Sequence, residues 1–431
     1  MSDWQDYSLA EFTDIRVSNV DKKTKPNEEQ IRLCNYMDVY VNDYITADLD
    51  FMESTASPPE YERFKVDKGD VVITKDSETP YDIGIPSVVV DEIENLVCGY
   101  HLALIKPNPK IVNSVFLSKQ LSASSVASYF SRVAAGSTRY GLSNGAIART
   151  KVSLPPLVKQ DKIAKILQTV DRAIAHTEAL IEKYQQIKAG LMHDLFTRGI
   201  GADGKLRPPR DEAPELYQES AIGWIPKDWN WEIVADLCSQ VVDCPHSTPI
   251  YRDSGIPCIR TADMEPGELI LEQAYCVDEK DYKIRTQRLV PKEGDIIYSR
   301  EGERLGIASP VGIKKVCLGQ RVMLLRPDSN TDPSFLLWSM NHIDFYRRVV
   351  RGLGATTSPH VNVGDIKAIP ISVPTYREQV LIGEKINAVQ GVLNREKKFR
   401  AKLQQKKNGL MHDLLTGKVP VKVHSDKVDH I

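Results

Sequence analysis

The chain is written twice. Asp3-Trp4 is matched by Asp228-Trp229, 225 positions later, and KGDVVITK (68–75) by EGDIIYSR (293–300) at the same offset. CGYHLALIKP (98–107) answers LGQRVMLLRP (318–327) at 220, and Gly136-Ser137-Thr138 answers Gly354-Ala355-Thr356 at 218. From Pro155 and Pro374 onward the offset settles at 219, and GLMHDLFT (190–197) returns almost unchanged as GLMHDLLT (409–416). Landmarks in one order with so little drift mean a duplication. A period of about 220 residues is far longer than solenoid repeats, so the repeated object is a whole folding unit.

Each copy has two parts. The first, 1–156 and 220–375, carries short β-branched runs such as Val71-Val72-Ile73, Val88-Val89-Val90 and Ile296-Ile297-Tyr298, punctuated by Gly and Pro. That pattern predicts a strand-dominated domain. The second, 157–198 and 376–416, lacks proline and reads as one long helix. Ile163, Val170, Thr177, Tyr184 and Leu191 recur every seven residues, as do Ile382, Val389, Glu396, Leu403 and Leu410, with further apolar residues between them. Such heptads predict a coiled-coil seam. A helix from about 158 to 196 would run roughly 58 Å and needs a partner; the other copy, antiparallel across a pseudo-twofold axis, supplies one. Thr177 and Glu396 then share the central layer, where a polar pair either fixes register or is simply solvated. Residues 199–219 read as a Gly-, Pro- and charge-rich linker, and 417–431 as a tail. The expected fold class is α+β: two pseudo-symmetric β-rich domains joined by two long helices in an antiparallel coiled coil.

Composition narrows the function. Lys+Arg 56 against Asp+Glu 58 leaves a net charge of −2, which excludes a histone-like binder driven by bulk positive charge. No apolar run approaches 18 residues and no signal-peptide core follows Met1, so a cytoplasmic protein away from membranes is expected. The seven cysteines form no CxxC pair, which argues for reduced structural thiols and no metal. Gly204-Lys205 and Gly417-Lys418 lack the Ser or Thr of a phosphate-binding loop. None of the double prolines, Pro58-Pro59, Pro155-Pro156 and Pro208-Pro209, sits in the [ND]PP[YFW] loop of an adenine methyltransferase. No HExxH or GxSxG is present, and no nuclease PD…ExK core can be assembled after Pro327-Asp328. His193-Asp194 and His412-Asp413 occupy equivalent helix ends, where a histidine suits the C-terminal dipole and needs no acid–base role. No catalytic residue is therefore expected.

The order of parts resembles the specificity subunit of type I restriction-modification enzymes. Gly255-Ile256-Pro257-Cys258-Ile259-Arg260-Thr261 with Asp263 is similar to the family's GxPxIRTxD strand and turn. EGDIIYSREG and LGQRVMLLRP resemble its later strands, and Gly354-Ala355-Thr356, Pro374 and Arg377-Glu378-Gln379 resemble its GxT…P…EQ approach to the helix. The first copy departs from this: Lys159-Gln160-Asp161 stands where Arg-Glu-Gln is expected, and IRTxD has no clear counterpart. The resemblance implies that each β-rich domain is a target-recognition domain reading half of an asymmetric, bipartite duplex DNA site. It implies helices that set the spacing and dock two methyltransferase subunits. Restriction (translocase/endonuclease) subunits would join them, with S-adenosylmethionine, ATP and Mg held by partners and no cofactor by this chain.

Base edges are read mostly by Arg, Lys, Asn and Gln, phosphates by Lys and Arg. The candidates in the first domain are the cluster Lys22, Lys23 and Lys25, with Lys75, Arg139 and Tyr140. In the second they are His246, Ser247, Thr248, Arg260, Arg300, Arg304, Arg321, Thr357, Ser358 and His360. The second helix adds a basic stretch, Arg395 to Lys407, that is either a solvated face, a path along the DNA or a surface for an acidic partner. A fused methyltransferase–endonuclease and a stand-alone repressor or scaffold are the rival functional classes.

Overall fold

The computed structural model describes residues 3–351 and 359–422. Its contacts divide the chain into two compact units, Met1–Thr177 with Phe399–Ile431, and Glu178–Lys398. Both long helices, Leu157–Thr197 (41 residues) and Tyr376–Leu415 (40 residues), are therefore shared, each giving its first half to one unit and its second to the other.

In the first unit a five-stranded sheet runs Thr13–Val17, Leu102–Pro107, Val71–Thr74, Pro86–Val89, Tyr44–Ile45, antiparallel except at its last pair. Alternate side chains of this sheet serve two cores, because successive residues of a strand face opposite ways. Val71, Ile73, Ala103 and Ile105 pack on helices Ser114–Leu121 and Ser124–Val133 and on the helix residues Ile163, Ala164, Leu167, Leu414 and Leu415. Val72, Leu102 and Leu104 face a three-stranded sheet in which Glu29–Cys34 lies between Met52–Ala56 and Leu96–Cys98.

The second unit repeats this plan with four strands, Cys238–Asp243, Val322–Pro327, Ile296–Ser299 and Ala308–Pro310. Ile296, Tyr298, Met323 and Leu325 join the core that receives Met192, Leu195, Ile382 and Ile386 from the helices. In each unit the start of one helix packs with the end of the other, so the pair is antiparallel.

Corresponding side chains secure both copies. Asp70 takes Lys106 at 2.6 Å beneath the first sheet, as Asp295 takes Arg326 at 2.7 Å beneath the second. Gln160 accepts the Asn113 amide at 2.9 Å and donates to the Pro155 carbonyl; Gln379 accepts the Asp332 amide at 2.9 Å and donates to Pro374. The helix-start motif of the first copy is thus Lys159-Gln160, with its glutamine in place. The IRTxD segment also has its counterpart there. The Arg260 amide donates to Asp263 at 2.9 Å, and the Asn35 amide to Asp38 at 2.7 Å, so Cys34-Asn35-Tyr36-Met37-Asp38 fills that turn at the 225 offset.

Along the first helix the expected seam residues Ile163 and Thr177 are buried, while Val170, Tyr184 and Leu191 are half-buried. Ile382 is buried; Val389, Glu396, Leu403 and Leu410 are half-buried. The more enclosed seven-step line is Gln160, Leu167, Ile174, Ile181, Lys188 and Leu195. The stretch 199–219 does more than link: Arg207 is buried against Glu378 at 2.7 Å, and Glu378 also accepts from the Ile200 amide and the Trp229 indole.

Candidate nucleic-acid interface

One edge of each domain gathers most of the predicted side chains, because four segments converge there. The central strand Val71–Thr74 runs on into Lys75-Asp76, and Ile296–Ser299 into Arg300-Glu301. Beside each lies a tight turn that crosses from the small sheet to the large one, Gly99-Tyr100-His101 or Gly319-Gln320-Arg321. The glycine is required: a Cβ on Gly99 would lie 2.6 Å from the Cys34 carbonyl oxygen, and one on Gly319 2.5 Å from that of Ile259. A third segment leads in after the first sheet strand, and a fourth returns to pair with the central strand, where the Leu142 amide donates to Lys75 and the Val361 amide to Arg300.

In the first domain Lys75 lies 3.6 Å from Asp76 and 5.2 Å from the centre of the Tyr100 ring, and Asp76 holds His101 Nδ1 at 2.8 Å. Tyr140 pairs with Ser77, beside the exposed Arg139. Gly136 shapes this loop, since a Cβ there would meet the Arg139 carbonyl oxygen at 1.9 Å. Tyr36 and Tyr40 stack at 5.4 Å, and the Tyr40 hydroxyl donates to Asp82 at 2.7 Å. Burial pushes the Tyr36 phenol up, with the Asp82 charge adding to it. Lys22, Lys23 and Lys25 sit on an exposed loop, Lys25 within 3.4 Å of Glu28. These three remain outward-facing and suited to phosphate contact.

The second domain is more heavily charged and more internally committed. Arg300 is only 3% exposed; it meets Asp243 at 3.1 Å and Glu301 at 2.9 Å. His246 contacts Asp243 at 3.1 Å, and His360 contacts Glu301 at 3.1 Å. Arg321 reaches outward from a left-handed backbone position (φ 66°), 59% exposed, with Glu301 at 3.7 Å. Arg260 is held by Asp263 at 2.9 and 3.0 Å and stacks 4.0 Å over Tyr275, and hydrogen bonding to Asp263 raises its pKa above the usual guanidinium value. Arg304 binds Glu265 at 2.8 Å and the Thr261 and Met264 carbonyls. Thr248 accepts from Gln320 at 3.0 Å, and the Ser247 carbonyl accepts from Arg285 at 2.9 Å. Thr357 and Ser358 lie outside the described residues.

Arg260, Arg300 and Arg304 are therefore fixed by carboxylates, whereas Arg321, His246 and His360 present themselves at the surface. The sequence reading missed Arg285, Gln320, His101 and the Tyr36–Tyr40 stack. A signal was available for two of them: His101 and Arg321 share the 220 offset, as do Tyr100 and Gln320. Among the described residues no group of three or more His, Cys, Asp or Glu is placed to hold a metal, and no helix is long and apolar enough to cross a membrane.

One β-rich domain built twice, with an equivalent polar edge on each copy and two shared antiparallel helices, defines a tandem-repeat, two-headed chain. The model of the type I restriction modification DNA specificity domain matches it twice, over residues 1–186 and 226–405, and the chain belongs to that family. The MjaVIII type I restriction enzyme specificity subunit of Methanocaldococcus jannaschii is 28% identical over 282 residues, a match spanning 63% of this chain and 63% of that relative. The putative MjaX specificity subunit of the same organism is 22% identical over 373 residues, 84% of this chain and 80% of its own. The crystal structure of an S subunit from M. genitalium is similar in fold, with a TM-score of 0.61 over 97% of each chain at 14% identity.

Proposed function

We propose that this chain is the DNA-reading, non-catalytic subunit of a type I restriction-modification complex, each β-rich domain reading one half of a bipartite site. The observation that carries this is the pair of equivalent edges with different residues. One frame presents Tyr100, His101 and Arg139; its copy presents His246, Gln320, Arg321 and His360. Equivalent frames engage two separated half-sites as twofold DNA binders do, and different side chains call for different bases. The whole site is then asymmetric.

The long helices offer docking surfaces to two methyltransferase subunits and set the spacing between the half-sites. Those partners bring S-adenosylmethionine, and restriction subunits bring ATP and Mg. Work of this kind belongs in the cytoplasm, where the DNA is. The test is reconstitution: the purified chain is mixed with the type I methyltransferase subunit of the same cell and with duplex DNA carrying the cell's methylated motif. The proposal expects a complex of one such chain with two methyltransferase subunits, and methylation only when this chain is present. Methylation by the chain alone, or by the partner without it, overturns the proposal.

A further inference from the structure

We infer that Arg285 is the positioning residue of the second domain's base-reading edge, an inference that rests on the DNA-reading proposal. Arg285 closes the short helix Glu279–Arg285 and is 4% exposed. Its guanidinium donates to the carbonyls of Ser247 at 2.9 Å, Pro245 at 3.2 Å, Gly319 at 3.1 Å and Leu318. All four acceptors are main-chain atoms, and they lie on two different segments: the loop that presents His246 and Thr248, and the turn tip that presents Gln320 and Arg321. A planar fork with five N–H donors is suited to tying two backbones together at a fixed separation.

The first domain ties the same segments differently. There Val20 bridges Gly99 directly, the Ser18 hydroxyl donates to the Cys98 carbonyl at 2.5 Å, and the residue closing the corresponding helix is the apolar, buried Phe64. The second domain thus places a buried guanidinium where the first uses a direct backbone bridge and a hydroxyl. On the solvent side the exposed Gln320 adds a weaker tie, donating to Thr248 at 3.0 Å and to the His246 carbonyl at 3.4 Å. Loss of the fork frees the loop and the tip to move independently without removing any side chain that could touch DNA.

The test is selection of bound sequences from a random duplex library by the full-length chain assembled with its methyltransferase subunits, and by the same complex carrying Arg285→Lys. Amide hydrogen exchange is measured on both proteins. The inference expects a two-part motif from the parent and, from the variant, at least a tenfold loss of discrimination confined to one half. Non-specific affinity and its salt dependence, which report phosphate contacts, stay unchanged. Exchange accelerates only in 245–248 and 318–320. Undiminished discrimination in both halves overturns the inference, and so does faster exchange throughout 178–398, which would mark a general structural role. A parent that selects no sequence overturns the DNA-reading proposal itself and this inference with it.

Discussion

Replacing Lys119 with methionine should destabilise the first unit and leave the second untouched. Lys119 is 2% exposed and bridges Asp43 and Asp171, each at 2.8 Å, while Lys407 holds the same two carboxylates at 2.7 Å. Burial alone would raise the Asp43 carboxyl, yet the two ammonium groups outweigh it and bring it from 3.8 to about 2. That difference corresponds to about 2 kcal/mol. Asp43 is 48% exposed, so solvent screening halves it, and the Lys119 share is below about 1 kcal/mol. Asp171 is enclosed and also accepts from the Tyr44 hydroxyl at 2.6 Å; losing one of its two lysine partners costs about 1.5–3 kcal/mol. The expected total is about 2–3 kcal/mol, less than an unrescued buried pair because Lys407 remains.

Urea unfolding tests this with two signals. Trp4 lies in the first unit and Trp224, Trp229, Trp231 and Trp338 in the second, so fluorescence follows mainly the second unit while circular dichroism follows both. At about 2 kcal/mol/M the first unit's midpoint should fall by about 1–1.5 M, with the fluorescence midpoint in place. The acid behaviour carries a sign. A carboxyl held below its usual value contributes stability that is present above about pH 4 and lost as pH falls toward 2, and Lys119→Met should shrink that acid step. A midpoint shift under about 0.2 M, or equal shifts in both signals, refutes the reasoning.

At the matching position of the second unit stands Trp338, with Lys188 4.0 Å from its ring centre and donating to Gln390. Burial, with the nearby Lys397 charge, lowers Lys188 to about 8, so the folded form holds its proton less tightly than the unfolded one. The second unit should gain stability as pH rises from about 8 toward 10, and Lys188→Met should abolish that gain in thermal melts. Arg300→Met should cost the second unit about 2–3 kcal/mol, less than an unrescued buried pair because Asp243 keeps His246 and Glu301 keeps His360, whereas the exposed Arg321→Met should change stability by under about 0.5 kcal/mol yet weaken DNA binding in a gel-shift titration. Gly99→Ala and Gly319→Ala should each lower the melting temperature of their own unit only, because the added Cβ meets a carbonyl oxygen that cannot retreat.

The architecture was legible because duplication leaves matched landmarks and because forty-residue proline-free heptads have few other uses. The buried line of the helices was harder to see, since it includes Gln160 and Lys188, polar residues whose burial depends on partners distant in sequence. The turn Asn35-Tyr36-Met37-Asp38 was hidden because it shares only its aspartate with Arg260-Thr261-Ala262-Asp263, although the hydrogen bond from the first amide to that aspartate is the same. Arginines were the weakest guide to the reading edge. A sequence counts Arg285, Arg300 and Arg321 alike, but the fold buries the first against carbonyls, locks the second between carboxylates and leaves the third on an exposed turn.

The central claim is that two unlike copies of one domain read two unlike half-sites. The measurement that bears on it most directly is long-read methylation mapping of DNA from cells with and without this gene. The account predicts the loss of one asymmetric, two-part methyladenine motif with a fixed gap when the gene is deleted. A compact or palindromic motif, or an unchanged methylation pattern in a strain whose restriction-modification system is active, contradicts it.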